Sequence, residues 1–392
     1  MSKSLYHLIR DELELMGVIC TPNIVERYCA SVGAHILNAY NLDNKKWFEA
    51  GSPRNFRVHI CAMIPSGFGK SMMMSQFLNP MYGFLSLTDI PSTMSTTFTT
   101  ESWVGTVVRN NETNQWEATD GVLVRYGKGI VGADEFARLK YMMESRGEEH
   151  DVSYLLSALD KDYAEKQHSG SPVTIKDIGM TFWCGLRPVQ MNIADSGLAR
   201  RFSFQTFYPT LTDMKNFKVA SRKKDMCKAI SEDTKMKIVD KVAEIRQNLN
   251  NVTDFDLTDV YKFLDKNPLV PHFEEQIYTR VATGFAIATD SYPKIRMFKE
   301  MEELLDDEWK NRQHIRMNPE IEMVYAVIKH HDKINKELIV SFLHGSYQLS
   351  KAKILSLVGS LKQMGRVVED NGYLMASNKA KQQKLYEVVK FE

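Results

Sequence analysis

The sequence predicts an α/β fold: a parallel sheet with helices on both faces, extended at its C-terminal side by further helices. Three observations predict it. Between about residues 51 and 209, short β-prone runs alternate with helical segments, the pattern of parallel sheets. A loop containing Gly67 and Gly69 separates one such run from a helix. Beyond residue 210 strand patterning nearly vanishes until an Asn-Gly pair at 371–372 signals a hairpin.

Residues 1–50 read as an N-terminal helical segment, with apolar positions at helical spacing in Leu5, Leu8, Ile9 and Leu13 and again in Ile24, Tyr28, Val32 and Ile36; Pro22-Asn23 divides the two. Residues 51–209 form the α/β core. Its β-prone runs are Phe56–Met63, Val122–Val124, Ile130–Ala133 and Ile178–Cys184, and the Met-rich segment Met72–Leu78 is helical. Residues 210–300 form a helical unit and 301–318 a linker. In 319–378, Asn318-Pro319 opens a helix bearing Ile321, Val324 and Ile328, Asn335 caps a second and Ser350 a third. Val367-Val368 and Tyr373-Leu374 then flank Asn371-Gly372, which suits a type I′ turn because both central residues need positive φ. Three helices and a hairpin is the winged-helix order. Residues 379–392 are a basic tail.

The 392 residues suggest two or three domains at roughly 150 residues each. No apolar stretch approaches the roughly 20 residues that span a bilayer, and the N-terminus lacks secretory-signal features, so a soluble, cytoplasmic chain without a membrane partner is expected. The five cysteines never form a C-x-x-C pair, which argues against a disulfide framework or zinc module. Lys and Arg total 50 against 49 acids, so any contact with nucleic acid must come from local patches rather than from the overall field.

Ile64-Pro65-Ser66-Gly67-Phe68-Gly69-Lys70-Ser71 matches the P-loop pattern G-x-x-x-x-G-K-[ST], except that Ile64 stands at the first glycine. In such a loop, which runs here over Pro65, Ser66, Gly67, Phe68 and Gly69, the backbone N–H groups that follow the proline hold phosphate oxygens. Lys70 reaches the β/γ-phosphates and Ser71 ligates Mg²⁺. ATP and Mg²⁺ are therefore the expected cofactors. About 65 residues on, Gly129-Ile130-Val131-Gly132-Ala133-Asp134-Glu135-Phe136 is an apolar run ending in two acids. On a strand beside the loop's own, Asp134 is suited to Mg²⁺ and Glu135 to orienting the attacking water.

Gly105 to Thr113, Trp116, Gly121-Val122-Leu123-Val124 and Asp134-Glu135-Phe136 resemble, in motif and spacing, the segment around the Walker B strand of the minichromosome maintenance (MCM) group of AAA+ helicases. The resemblance covers roughly Phe56 to Phe204 and extends more weakly through a helical lid and a C-terminal winged helix. It lacks that group's large N-terminal domain, which points to the short MCM-like ATPases of plasmids, viruses and integrated elements. It implies an AAA+ P-loop NTPase core. In Ser196-Gly197-Leu198-Ala199-Arg200-Arg201-Phe202 it makes Arg201 the finger that reaches a neighbouring subunit's γ-phosphate. Arg280 is similar to the lid's sensor-2 arginine. At sensor 1 the sequence departs from the group, because Arg187 replaces an asparagine and cannot accept the hydrogen bond through which asparagine positions water; either hydrolysis is slow, or Arg187 is a catalytic residue that contacts phosphate directly.

The resemblance also implies two inserted hairpins that carry cations into a ring channel. One lies between Thr93 and Trp116 with Arg109, the other at Tyr163–Lys176 with Lys166, His168 and Lys176. Lys351 and Lys353, at the start of the third C-terminal helix, are candidates for duplex phosphates. The expected activity is that of an oligomeric, hexameric ATP-driven DNA helicase or translocase with single-stranded DNA in its channel, serving replication of a mobile element. The alternatives are an ATP-switched DNA-binding initiator or loader, and a degenerate structural subunit.

Overall fold

A computed structural model describes residues 3–18, 20–44, 56–95, 105–109, 116–134, 158–160, 163–168, 171–186, 200–220, 222, 229–267, 270–316, 319–331 and 333–377. Helix α1 (Leu5–Leu15) starts where the Ser4 side chain accepts a hydrogen bond from the His7 N–H. Helix α2 (Ile24–Asn44) follows, and is buried along most of its length. The central sheet contains β1 (His59–Met63), β2 (Ser92–Ser95), β5 (Ile130–Ala133), β8 (Thr181–Leu186) and β9 (Phe202–Thr206). Their order is β2-β5-β8-β1-β9, all parallel. Alternation along β1 makes two cores. Ile60 and Ala62 face a layer with Tyr28, Phe77 and Trp183, and Cys61 and Met63 face one with Phe182, Phe202 and Phe204. The sheet is thus flanked by helices and buried on both faces.

The order corrects one expectation. Strand β5, which ends in Asp134, is not adjacent to β1; β8 lies between them. Val122–Val124, expected as a strand, instead belongs to the short helix α4 (Val122–Arg125). Burial of Val122 and Leu123 against the second core outweighs valine's β preference. Helix α3 (Lys70–Leu78) follows β1 directly. Two antiparallel hairpins interrupt the sheet: β3 (Gly105–Arg109) with β4 (Trp116–Asp120) before β5, and β6 (Tyr163–His168) with β7 (Ser171–Lys176) before β8. These are the two places where the inserts are expected.

After β9 come α5 (Leu211–Ala220), α6 (Glu232–Leu249), α7 (Thr258–Asp265), α8 (His272–Ala288) and α9 (Lys299–Arg316). Helices α2 and α8 cross in backbone contact. A Cβ on Gly33 would lie 2.1 Å from the Gly284 carbonyl oxygen, and one on Gly284 would lie 2.1 Å from that of Ala30. The N-terminal segment is therefore part of the core. So is the stretch expected as a linker, 301–318. Its residues Met301, Leu304, Leu305, Glu308, Arg312 and Ile315 recur at helical spacing and are buried. Its buried charges are satisfied internally. Arg27 of α2 bonds Ser203, Gln205, Asp307 and Glu308, while Arg312 bonds Glu308 and the Phe202 carbonyl.

The C-terminal unit has its own core. It consists of α10 (Pro319–His330), β10 (Ile334–Asn335), α11 (Lys336–Tyr347), α12 (Lys351–Gln363), β11 (Val367–Asp370) and β12 (Tyr373–Ala376), with sheet order β10-β12-β11. Asn335 and Ser350 cap α11 and α12, and Asn371 and Gly372 take φ of 49° and 77°, as the turn type requires. The basic tail lies outside the described residues. Among the described residues, no helix is long and apolar enough to cross a membrane.

Candidate functional site

Strand β1 delivers the chain to the carboxyl end of the sheet, where the strand order reverses about β1; ligands of open α/β sheets bind at such a switch point. The loop turns at Gly67 and Gly69, whose φ values of 88° and 78° are open to glycine. Ile64, at the pattern's missing glycine, is buried in the core before these turns, so closure does not need a glycine there. Pro65 is also buried, while Ser66 and Gly67 are exposed. Phe68 anchors the loop edge-on to Phe207 and Phe217, with ring centroids at 5.6 and 5.0 Å.

Gly69 caps α3, so Lys70 and Ser71 stand in its first turn, where free N–H groups and the helix dipole favour an anion. The Lys70 Nζ donates to the Leu186 carbonyl at 3.4 Å. The Ser71 hydroxyl donates to Asp134 Oδ1 at 2.5 Å. Three strand ends thus converge: β1 through Lys70 and Ser71, β5 through Asp134, and β8 through Leu186. Gly185 permits this approach, since a Cβ there would lie 2.7 Å from the Asp134 carbonyl oxygen and 2.8 Å from Lys70 Cε. Sequence reasoning passed over Gly185; its only signal was its place at the end of an apolar strand run. A hydroxyl and one carboxylate are hard oxygen donors that fit Mg²⁺, which takes one or two carboxylates and completes its shell with phosphate and water. No group of three or more His, Cys, Asp or Glu side chains suited to a metal occurs among the described residues, so the pair would need the phosphate to complete such a shell.

Glu135 and Arg187 lie outside the described residues. Arg201 and Arg280 are brought together, but at the opposite end of the sheet. Register pairs Phe202 with His59 and Thr206 with Met63, so Arg201 sits about 15 Å from the loop of its own chain. It pairs with Asp160, whose side chain is 37% exposed. Arg280 is buried in α8, donates to Gln276 Oε1 at 3.2 Å, and feels the same Asp160; burial holds its guanidinium down at about 10. Neither arginine can reach the glycine loop of its own chain. Beside them, His59 accepts the Phe182 N–H and is hydrogen-bonded to the Leu159 carbonyl, and burial keeps it neutral, with its pKa well below the ordinary value.

Of the candidates for DNA, Arg109 ends β3 opposite Trp116. Lys166 pairs in register with Val173, His168 with Ser171 next to the turn, and Lys176 with Tyr163 at the hairpin's base. For these four the structure describes the backbone only. Lys351 is exposed, but Lys353 is bound to Glu320 at 2.7 Å. Glu369 draws in Lys336 and Lys362, which hold its carboxyl below the ordinary range, and Arg366 pairs with Glu322. Much of the C-terminal unit's positive charge is therefore spent internally.

The glycine loop also faces a part of the chain that sequence reasoning kept apart from it. Pro65, Ser66 and Phe68 form one wall of a cavity of about 420 Å³, and the end of α11 forms the other. No sequence signal joins residues nearly 300 positions apart. No protein-family model matches the chain, and no curated protein is significantly similar to it.

Proposed function

We propose that the chain is an MCM-like AAA+ ATPase that hydrolyses ATP as an oligomeric ring, a hexamer, and drives DNA strands apart or along its channel. The observation that carries this reading is the convergence of Lys70, Ser71 and Asp134 at the switch point of a parallel sheet, at the first turn of α3. In this reading Lys70 and the loop amides hold the β/γ-phosphates. Ser71 and Asp134 hold Mg²⁺, which when bound neutralises charge developing on the phosphate oxygens. Glu135, next in the chain, orients the water that attacks the γ-phosphorus, and the products are ADP and phosphate.

Arg201 supports the ring. An arginine about 15 Å from its own phosphate loop serves hydrolysis only by entering a neighbour's site, where a permanently charged planar fork stabilises the transition state. Hairpins inserted before β5 and before β8 support DNA in the channel, with Arg109, Lys166, His168 and Lys176 as the cations. In this reading the C-terminal unit is a winged helix. Its internal ion pairs favour protein contact over duplex binding; at the start of α12 both Lys351 and Lys353 are exposed, and Lys353 is held by Glu320.

The test is ATPase and strand-displacement activity of the purified chain, with and without single-stranded DNA. Stimulated hydrolysis with displacement supports a helicase, and stimulation without displacement supports the loader. Absence of hydrolysis in every condition rejects the enzyme. Glu135→Gln should bind ATP and Mg²⁺ as wild type does while hydrolysis stalls; loss of ATP binding in that variant would overturn the roles given to the two acids.

A further inference from the structure

A nucleoside triphosphate held by its phosphates still has to place its base and ribose, and a small-molecule site is a partly apolar cleft with a few convergent polar groups. The cavity against the phosphate loop has that make-up. At about 420 Å³ it lies within the roughly 300–1,000 Å³ of such sites. Phe68 and Ser66 of the loop face Phe342, Ser346, Tyr347 and Gln348 at the end of α11.

Two features mark the α11 side. The Tyr347 side chain is only 8% exposed, and its hydroxyl is buried without a hydrogen-bond partner among the described residues. A buried hydroxyl left unpaired costs free energy that a ligand's ring nitrogen or ribose hydroxyl would recover. Gln348, next to it, takes φ of 58° at the C-cap of α11, a left-handed conformation uncommon outside glycine and asparagine. Its side-chain amide both donates and accepts, as the edge of a nucleobase requires. A second cavity, of about 440 Å³, lies behind Phe207 and Phe217, and its walls include no residue of the phosphate loop.

We propose that the cavity between the phosphate loop and the end of α11 receives the nucleoside part of the bound nucleoside triphosphate, so that the C-terminal unit completes the nucleotide site of its own chain. This rests on the reading of Lys70 and Ser71 as phosphate ligands. Phe68 and Phe342 supply apolar faces for the base, while Tyr347 and Gln348 supply hydrogen bonds.

The experiment compares two probes, ATP and inorganic triphosphate, by equilibrium titration with Mg²⁺ on the full-length chain. Tyr347→Phe and Gln348→Asn should each weaken ATP by about 3- to 10-fold, the worth of one hydrogen bond, and leave triphosphate unchanged. Ser346→Ala is read in the same way should either variant fail to fold, and Lys70→Ala is the control that weakens both probes. If the variants bind ATP as wild type does, the nucleoside lies elsewhere, the cavity behind Phe207 included, and the proposal fails while the phosphate reading stands. Equal weakening of both probes also overturns it, because the residues then act through the loop. If wild type binds neither probe, the phosphate reading itself fails.

Discussion

Gly185 has no side chain, yet it sets how closely Lys70 can pass over the end of β8. Gly185→Ala places a methyl group 2.7 Å from the Asp134 carbonyl oxygen, which is backbone and cannot rotate away. The strand ends must part, and overpacking of this kind costs about 1–3 kcal/mol. ATP affinity should fall by roughly tenfold, since 1.4 kcal/mol is a factor of ten. Titration of the variant checks it, and unchanged affinity would show that the approach of Lys70 to β8 does not matter for binding. At this scale the sequence was legible where chemistry is local. Pro65 to Ser71 and Asp134 were assigned from spacing, and Lys70, Ser71 and Asp134 do meet. Gly185 was missed because its role is the absence of a Cβ between two residues distant in sequence.

Among the elements, α2, α8 and α9 carry the tertiary information. Glu308 is buried between Arg27, Arg312 and Ser203. Removing its charge leaves two buried guanidinium groups short of a partner, so Glu308→Leu should destabilise the chain by about 3–5 kcal/mol, read from denaturant unfolding. A loss under about 1 kcal/mol would mean that Asp307 and Glu274 suffice. A second prediction concerns His35 of α2, which is fully buried, lies 3.0 Å from Thr181 Oγ1, and is pushed down to about 3 by burial. The unfolded chain takes up this proton below about 6.5 and the folded chain does not until about 3. Stability is therefore fully present above 6.5 and falls by about 1.4 kcal/mol per pH unit as pH drops through that window. His59 acts in the same direction. Unfolding midpoints at about pH 7.5 and 5.5 should differ less in His35→Gln than in wild type. An identical difference would exclude His35 as a source of the acid sensitivity.

For the molecule as a whole, the candidate residues fall at the two ends of the sheet. The glycine loop, Gly67–Ser71, is at the carboxyl end, while Arg201, Arg280 and Asp160 are at the amino end. If Arg201 completes a neighbour's site, Arg201→Ala subunits should bind ATP and hydrolyse it on the order of 10³-fold more slowly. Mixing them with Lys70→Ala subunits should restore part of the activity, because some interfaces then pair an intact loop with an intact arginine. No recovery at any mixing ratio would leave Arg201 a partner of Asp160 alone. The C-terminal unit also takes its place at this scale. Residues 319–377 hold seven basic and six acidic residues, so the unit as a whole carries almost no net charge to draw it onto a duplex.

What the sequence determined by itself was whatever depends on neighbours along the chain. Gly67 and Gly69 made the loop recognisable, the caps at Asn335 and Ser350 started their helices, and Asn371-Gly372 made the turn, because each acts within a few residues through its own φ, hydroxyl or amide. The tertiary structure alone decided that β8 separates β1 from β5, that 301–316 is a helix of the core, and that α11 faces the phosphate loop. Those outcomes depend on which buried surfaces and charges meet across hundreds of residues. Arg27 chooses Glu308, and Gly33 chooses Gly284, through packing and desolvation that no local pattern encodes.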